Sequence, residues 1–341
     1  MLVSELRELI KKYKEEDLRL LIVEMYKSMP KKLREDKEID ELLQDAHAYM
    51  RKGKIDKKQN KQIDIHDLKQ EIDLFIDYAY KQYYFAPNSF VHKKERPKWR
   101  FKVKTYIKDL QGISVDSTDG KVATDLLQKL YNMLCYACQY YIFSTDNPFR
   151  SVGIEQPVLI DTIISRKLGN GINNESIKSA IELVINSALD RETLHSYLIE
   201  MLMMNLKSPD AKTIAIEQCK VLKKELDKAK PIKSKKSWSF DTSYYDREEK
   251  ISNLVEIIFK TNIQLCEYDE AIRYFKQNYV RSDKEVALYV LLRLLMEYDL
   301  KELWIREYKE AVQKGIKIRE SLHKTYKYIK ENDKLPEYIM H

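Results

Sequence analysis

The stretch "QKLYNMLCYACQYYIFS", residues 128–144, poses the choice on which the fold turns. It holds either a Cys-x-x-Cys reaction centre or two small side chains in one helix. Leu127, Tyr131, Leu134, Cys138 and Tyr141 are spaced four, three, four and three residues apart. That rhythm draws a one-sided apolar stripe along a helix, and Cys135 adjoins it one turn beyond Tyr131. A redox Cys-x-x-Cys sits at a helix start, where the dipole lowers the thiol pKa. This pair lies deep inside a helix that the periodicity predicts over 121–143. Zinc needs two further ligands, and no second Cys-x-x-Cys or His-x-x-x-His accompanies the pair. Cys219 and Cys266 are solitary. Free cysteine inside a protein behaves as a small hydrophobe, so both thiols are expected in a helical core.

The same period recurs along the chain. It predicts helices near 3–13, 16–28, 36–51, 64–84, 98–110, 121–143, 156–167, 174–188, 190–206, 209–228, 247–265, 268–279, 283–297, 300–314 and 317–331. Only 7 glycines and 8 prolines occur in 341 residues. Strand-rich folds spend such residues on turns, so their scarcity favours long helices with short connections. Gln156-Pro157 places proline in the first turn of one helix, and "KLGNG" supplies glycines where it stops. Asp190 and Asp283 stand where an N-cap is wanted. The segment "DKEVALYVLLRLLME", 283–297, is apolar around nearly its whole circumference and must be covered on several sides. The expected fold is therefore all-α, built of stacked helical hairpins.

Three stretches interrupt the helices: "FAPNSFVHKKERPKW" at 85–99, "STDNPFRSVGIEQP" at 144–157 and "KAKPIKSKKSWSFDTSYYD" at 228–246. They suggest an N-terminal helical unit over 1–88, a central one over 89–229, a charged linker or loop over 230–246 and a C-terminal unit over 247–341. A cut near residue 240 is expected to leave a soluble C-terminal piece.

Several functions find no support. The chain has 61 basic and 54 acidic residues, and a net charge of +7 over so large a surface does not by itself imply nucleic acid. No run approaches the roughly 18 apolar residues that span a bilayer. The start, "MLVSELRELIKKYKEED", lacks the apolar core of a secretion signal. Four cysteines make no disulfide framework, so a reducing cytoplasm is the expected compartment. Phosphate-cradling glycine loops and a Gly-x-Ser-x-Gly elbow are missing.

Two Glu-x-x-His pairs, Glu192–His195 and Glu320–His323, resemble half of a carboxylate-bridged di-metal site. On a helix, however, each glutamate lies about 160° from the apolar face. Ligands of a buried metal point inward, so these are expected to face solvent. His66, in "DIHDL", has acids nearby, as an exposed helix start would; His47, His92 and His341 have no partners visible in sequence. No catalytic residue, metal ligand or cofactor is therefore expected.

Basic segments offer another chemistry. "HKKERPKWRFKVK", 92–104, carries seven Lys/Arg against one acid, with Trp99 and Phe101 between them. Cations alternating with rings suit phosphate contacts and base stacking, with Lys98, Trp99, Arg100 and Lys102 as the contact residues. The tracts at 51–62 and 220–238 are lysine-rich too. Solvated loops and helix ends account for such tracts equally well.

At "LCEYDEAIRYFKQNYV", 265–280, the chain resembles the second helix of a tetratricopeptide repeat. Tyr268-Asp-Glu-Ala271-Ile, with Phe275 four residues on, matches that family's turn and helix-B pattern. Val255, Phe259 and Asn262 stand where the family prefers tryptophan, glycine and tyrosine, and Asp283 replaces its proline. Helical pairs follow at a period of 34 to 36 residues. The resemblance implies a right-handed, repeat-like array binding a protein or peptide, and it carries over no catalytic residues. Tyrosine, at 24 residues, is enriched at interfaces; Tyr268, Tyr274, Tyr279 and Tyr289 are the expected partner-binding residues. The tyrosine clusters at 78–85 and 138–143 fit helix packing as well as interfaces. The chain thus reads as a non-catalytic interaction or scaffold protein, with nucleic-acid binding through 92–104 as the alternative.

Overall fold

The computed structural model describes residues 3–36, 39–46, 64–228, 242–279 and 283–340. Every regular element among them is helical. The tracts at 51–62 and 229–238, along with His47 and His341, lie outside the described residues.

The chain divides into two compact units, Met1–Asp64 and Ile65–His341. The first carries α1 (Val3–Ile10), α2 (Glu15–Ser28), α3 (Lys31–Asp36) and α4 (Ile39–Gln44). No described residue of α2 is buried. Among its described residues, the Tyr26 hydroxyl donates to Asp40 at 2.6 Å, and the Arg34 guanidinium lies 4.5 Å from the Tyr26 ring.

The second unit begins with α5 (Ile65–Tyr80), a 3-10 turn at Arg96–Lys98, α6 (Trp99–Gln111), α7 (Gly120–Gln139) and α8 (Pro148–Val152). It continues with α9 (Gln156–Gly169), α10 (Asn174–Ile185), α11 (His195–Asn205) and α12 (Pro209–Lys228). It closes with α13 (Thr242–Gln264), α14 (Tyr268–Asn278), α15 (Lys284–Glu297), α16 (Lys301–Gln313) and α17 (Glu320–Asn332). Helices pack on neighbours in the chain: α7 touches α5, α6 and α9, and then α9 touches α11, α10 touches α12 and α11 touches α13. The fold is all-α, as the recurring helical period predicts.

Local chemistry explains several joins. The Asn173 carboxamide accepts from the Ser176 amide while the Ser176 hydroxyl accepts from the Asn173 amide, so α10 opens on a reciprocal cap. Asp283 caps α15 as expected, accepting from the Glu285 amide at 2.8 Å. Asp190 does not cap a helix. Its own amide donates to the buried Gln156 carboxamide oxygen at 2.9 Å, the chain stays non-helical, and α11 starts only at His195. Gly120 admits no side chain, because a Cβ there would lie 2.1 Å from the Val115 carbonyl oxygen. The buried Arg166 braces the same join, donating to the Thr124 hydroxyl and to the Ile113 carbonyl oxygen.

Composition suggests unit boundaries near 89 and across 230–246; the two compact units divide after Asp64. The two helices flanking 229–241, α12 and α13, pack directly on one another. Helix α13 is covered on two sides. Ile251, Val255, Phe259 and Ile263 join the C-terminal core with Phe275, Leu292 and Trp304. Leu254, Ile257 and Ile258 are fully buried outside that cluster, and the hydroxyl of Thr261 meets the sulfur of Met203 on α11. Helix α15 is covered almost all round, as its apolar circumference requires: Leu288, Leu291, Leu292, Leu294 and Leu295 are buried, and Tyr289, Val290 and Met296 half-buried.

Candidate functional site

The Cys-x-x-Cys pair sits in packing. Cys135 is buried and Cys138 half-buried, and burial pushes both thiols up to about 12. The Cys138 thiol donates to the Leu134 carbonyl oxygen one turn back. Beside Cys135, the buried Gln156 carboxamide donates to the Tyr131 hydroxyl at 3.1 Å and to the Ala188 carbonyl oxygen at 2.9 Å. Tyr131 in turn pairs with the Ser187 hydroxyl at 2.8 Å. Such a network fixes the junction of α7, α9 and the segment after α10; thiols held protonated are poor nucleophiles. Tyr141, placed on the same stripe by its spacing, lies beyond the end of α7 and is 62% exposed, against Phe85.

The two Glu-x-x-His pairs stay apart. Glu192 precedes α11 and bonds Arg150 at 2.9 Å, while His195 pairs with Glu249 at 3.2 Å. The Glu320 side chain is 82% exposed, and His323 bonds the Tyr308 hydroxyl. No cluster of His, Cys, Asp or Glu with metal-binding geometry occurs among the described residues.

The basic-aromatic segment splits by face. The Trp99 ring is buried and stacked on Phe143, with centroids 3.9 Å apart, so it is core rather than a platform for a base. Phe101 is the exposed ring, with Arg100 4.9 Å from its centroid. The ammonium of Lys98 is engaged by Glu95 at 2.7 Å, and Arg96 donates to the Val91 and Asn88 carbonyl oxygens. Arg100, Lys104 and Lys108 recur every fourth residue on α6, all exposed.

The four tyrosines expected to bind a partner have different surroundings. Tyr268 opens α14 and is exposed. Tyr274 is half-buried under Lys220 of α12, and burial pushes its hydroxyl up to about 12. Tyr289 carries the Arg319 guanidinium 4.2 Å from its centroid. Tyr279, stacked on Phe275 at 4.5 Å, does line an opening.

That opening is a groove of about 560 Å³ between the end of α14, the start of α15 and the end of α16. Apolar side chains form its floor: Phe275, Leu288, Leu291, Ala311 and Ile316. Charged side chains form its rim, and most are paired. Glu307, 2% exposed, is held by Lys276 and by Arg306. Glu310 accepts from Lys276 at 2.7 Å and from Lys314, and these two bonds hold its carboxyl down at about 2. Burial pulls the Lys276 ammonium down, but its bonds to Glu307 and Glu310 outweigh that and raise its pKa. Glu285 is engaged by Arg319, and Asp283 by the Glu285 amide. Lys284 and Lys317 also line the groove and make no ion pair among the described residues.

Ion pairs tie each C-terminal helix to the next but one. Lys260 of α13 reaches Glu297 of α15, Asp269 and Lys276 of α14 reach Arg306 and Glu310 of α16, and Glu285 of α15 reaches Arg319 ahead of α17. Their separations are 34 or 37 residues, and the further α14–α16 pair Lys276–Glu307 spans 31. The groove's charged residues carry no signal in the sequence except this spacing, because lysine and glutamate are common on every helix. No known protein family, curated protein or solved structure matches the chain.

Proposed function

We propose that residues 242–340 form a binding module, without catalysis of its own, that holds an extended segment of a partner protein in the α14–α16 groove. The observation that carries this reading is the groove itself: about 560 Å³ of open space with an apolar floor and a charged rim. That size and lining suit a short ligand segment whose apolar side chains are buried. Ion pairs that join helices two apart in the chain are in keeping with a stacked helical arrangement. Selection of a random peptide library on the full chain tests the reading. Ala287, half-buried on the groove wall, is the control position, since Ala287→Trp fills the space while leaving α15 helical. Selected peptides should bind the parent chain and not the tryptophan variant. Equal binding to both would remove the groove from consideration.

Nucleic-acid binding is the second reading, and the exposed line Arg100, Lys104 and Lys108 on α6 favours it. With Trp99 inside the core, such binding rests on phosphate contacts, which salt weakens steeply. Retention on heparin that falls with salt, and is lost when Arg100, Lys104 and Lys108 become glutamate, is its expected signature. Retention unchanged by those substitutions counts against it.

A further inference from the structure

Resting on the groove reading, we infer that the occupant is an acidic–apolar peptide: an apolar centre with carboxylates on both flanks. Every groove carboxylate already has a partner. Glu307 and Glu310 share Lys276, with Arg306 and Lys314 in support; Glu285 has Arg319; and Asp283 accepts from a backbone amide. Lys276 and Lys314 are consumed in these pairs. Among the described residues, the cations left without an ion pair at the rim are Lys284, in the first turn of α15, and Lys317, just past α16. The ligand therefore meets a surface on which Glu285, Glu307 and Glu310 are ion-paired, Asp283 is bonded only to a backbone amide, and Lys284 and Lys317 are the two ammonium groups without an ion pair among the described residues.

A basic peptide gains less there. It would face two ammonium groups, and Glu285, Glu307 and Glu310 would first have to leave existing ion pairs, which leaves it Asp283 as a ready acceptor. An acidic peptide places its carboxylates on Lys284 and Lys317 without breaking any bond the protein makes. Between those contacts its apolar side chains cover Phe275, Leu288 and Ile316. Charge then selects the partner and the floor supplies the affinity, the usual division at interfaces.

The test uses the full chain and fluorescein-labelled decapeptides sharing one apolar centre, Leu-x-x-Phe, flanked by glutamate, glutamine or lysine. Binding is read by fluorescence anisotropy at low salt. The glutamate-flanked peptide should bind at least tenfold more tightly than the glutamine-flanked one, and the gap should close in 0.5 M salt. Lys284→Glu with Lys317→Glu should invert the preference toward the lysine-flanked peptide; both side chains are exposed, so the fold tolerates the exchange. Ala287→Trp should abolish binding of all three. Equal affinity of the glutamate and glutamine peptides, with both lost in Ala287→Trp, overturns the charge assignment and leaves the groove reading standing. Binding that survives Ala287→Trp, or no binding by any of the three, overturns both.

Discussion

Cys266 holds a backbone conformation in which cysteine is uncommon, with φ at 63°. Its amide donates to the Ile263 carbonyl oxygen and the next amide, of Glu267, to that of Asn262, so it closes α13 in the position glycine usually fills. A Cβ in the left-handed region costs on the order of 1–2 kcal/mol. Cys266→Gly is therefore expected to raise the urea midpoint, by about 1 kcal/mol of stability; a lower midpoint would show that the side chain makes contacts outweighing the strain. The same residue is the one exposed thiol among the four cysteines. A native-state titration with a thiol reagent should modify it quickly and the other three only on unfolding, and fast reaction of two or more would disprove the packing of Cys135 and Cys138. Those two were legible as core because the stripe around them has helical period. Gln156 was not legible. A fully buried glutamine has no signature in sequence, yet it serves Tyr131, Ala188 and Asp190 at once. Gln156→Leu should cost roughly 1–3 kcal/mol, the penalty for orphaning buried polar groups, as measured by urea unfolding.

Helices were legible as elements, and their ends only in part. Gln82, Gly153, Cys266, Asp299 and Gly315 all adopt positive φ just past a helix, each followed by the same pair of amide bonds running back into the last turn. Only two of the five are glycine, so the usual stop signal is absent at the other three. The periodicity over 64–84 accordingly overruns α5, which ends at Tyr80. The late start of α11 was hidden for another reason: the group that keeps Asp190 out of a helix is a side chain 34 residues earlier in sequence. Between elements, Glu310 links α14 to α16, and its carboxyl sits at about 2 against an ordinary 4.5. A carboxyl lowered on folding gives stability that is present above the unfolded pKa and lost as pH falls through the folded one. The melting temperature should therefore drop between pH 4.5 and pH 2, and drop less in Glu310→Gln; identical profiles for the two proteins would show that the Lys276 and Lys314 bonds do not persist in solution.

For the unit Ile65–His341, fold class followed from a single period repeated along the chain. Residues 228–246 have the composition of a linker, but composition reports contact with water and not what the flanking helices touch. Helices α12 and α13 pack together across that segment. A protease site inserted between residues 229 and 241 should thus yield, after cleavage, two chains that elute together in gel filtration. An isolated 247–341 piece should bind a hydrophobic dye, because Leu254, Ile257 and Ile258 lose their cover. Separate elution of two well-behaved monomers would support the boundary that composition suggests. The sharing of α13 also bears on biosynthesis. A nascent chain released through α12 carries an unfinished apolar flank until α13 emerges, roughly 2 to 7 s later at 5–20 residues per second. During that interval the growing polypeptide exposes apolar surface that can aggregate, and any pause in elongation before α13 emerges would prolong it.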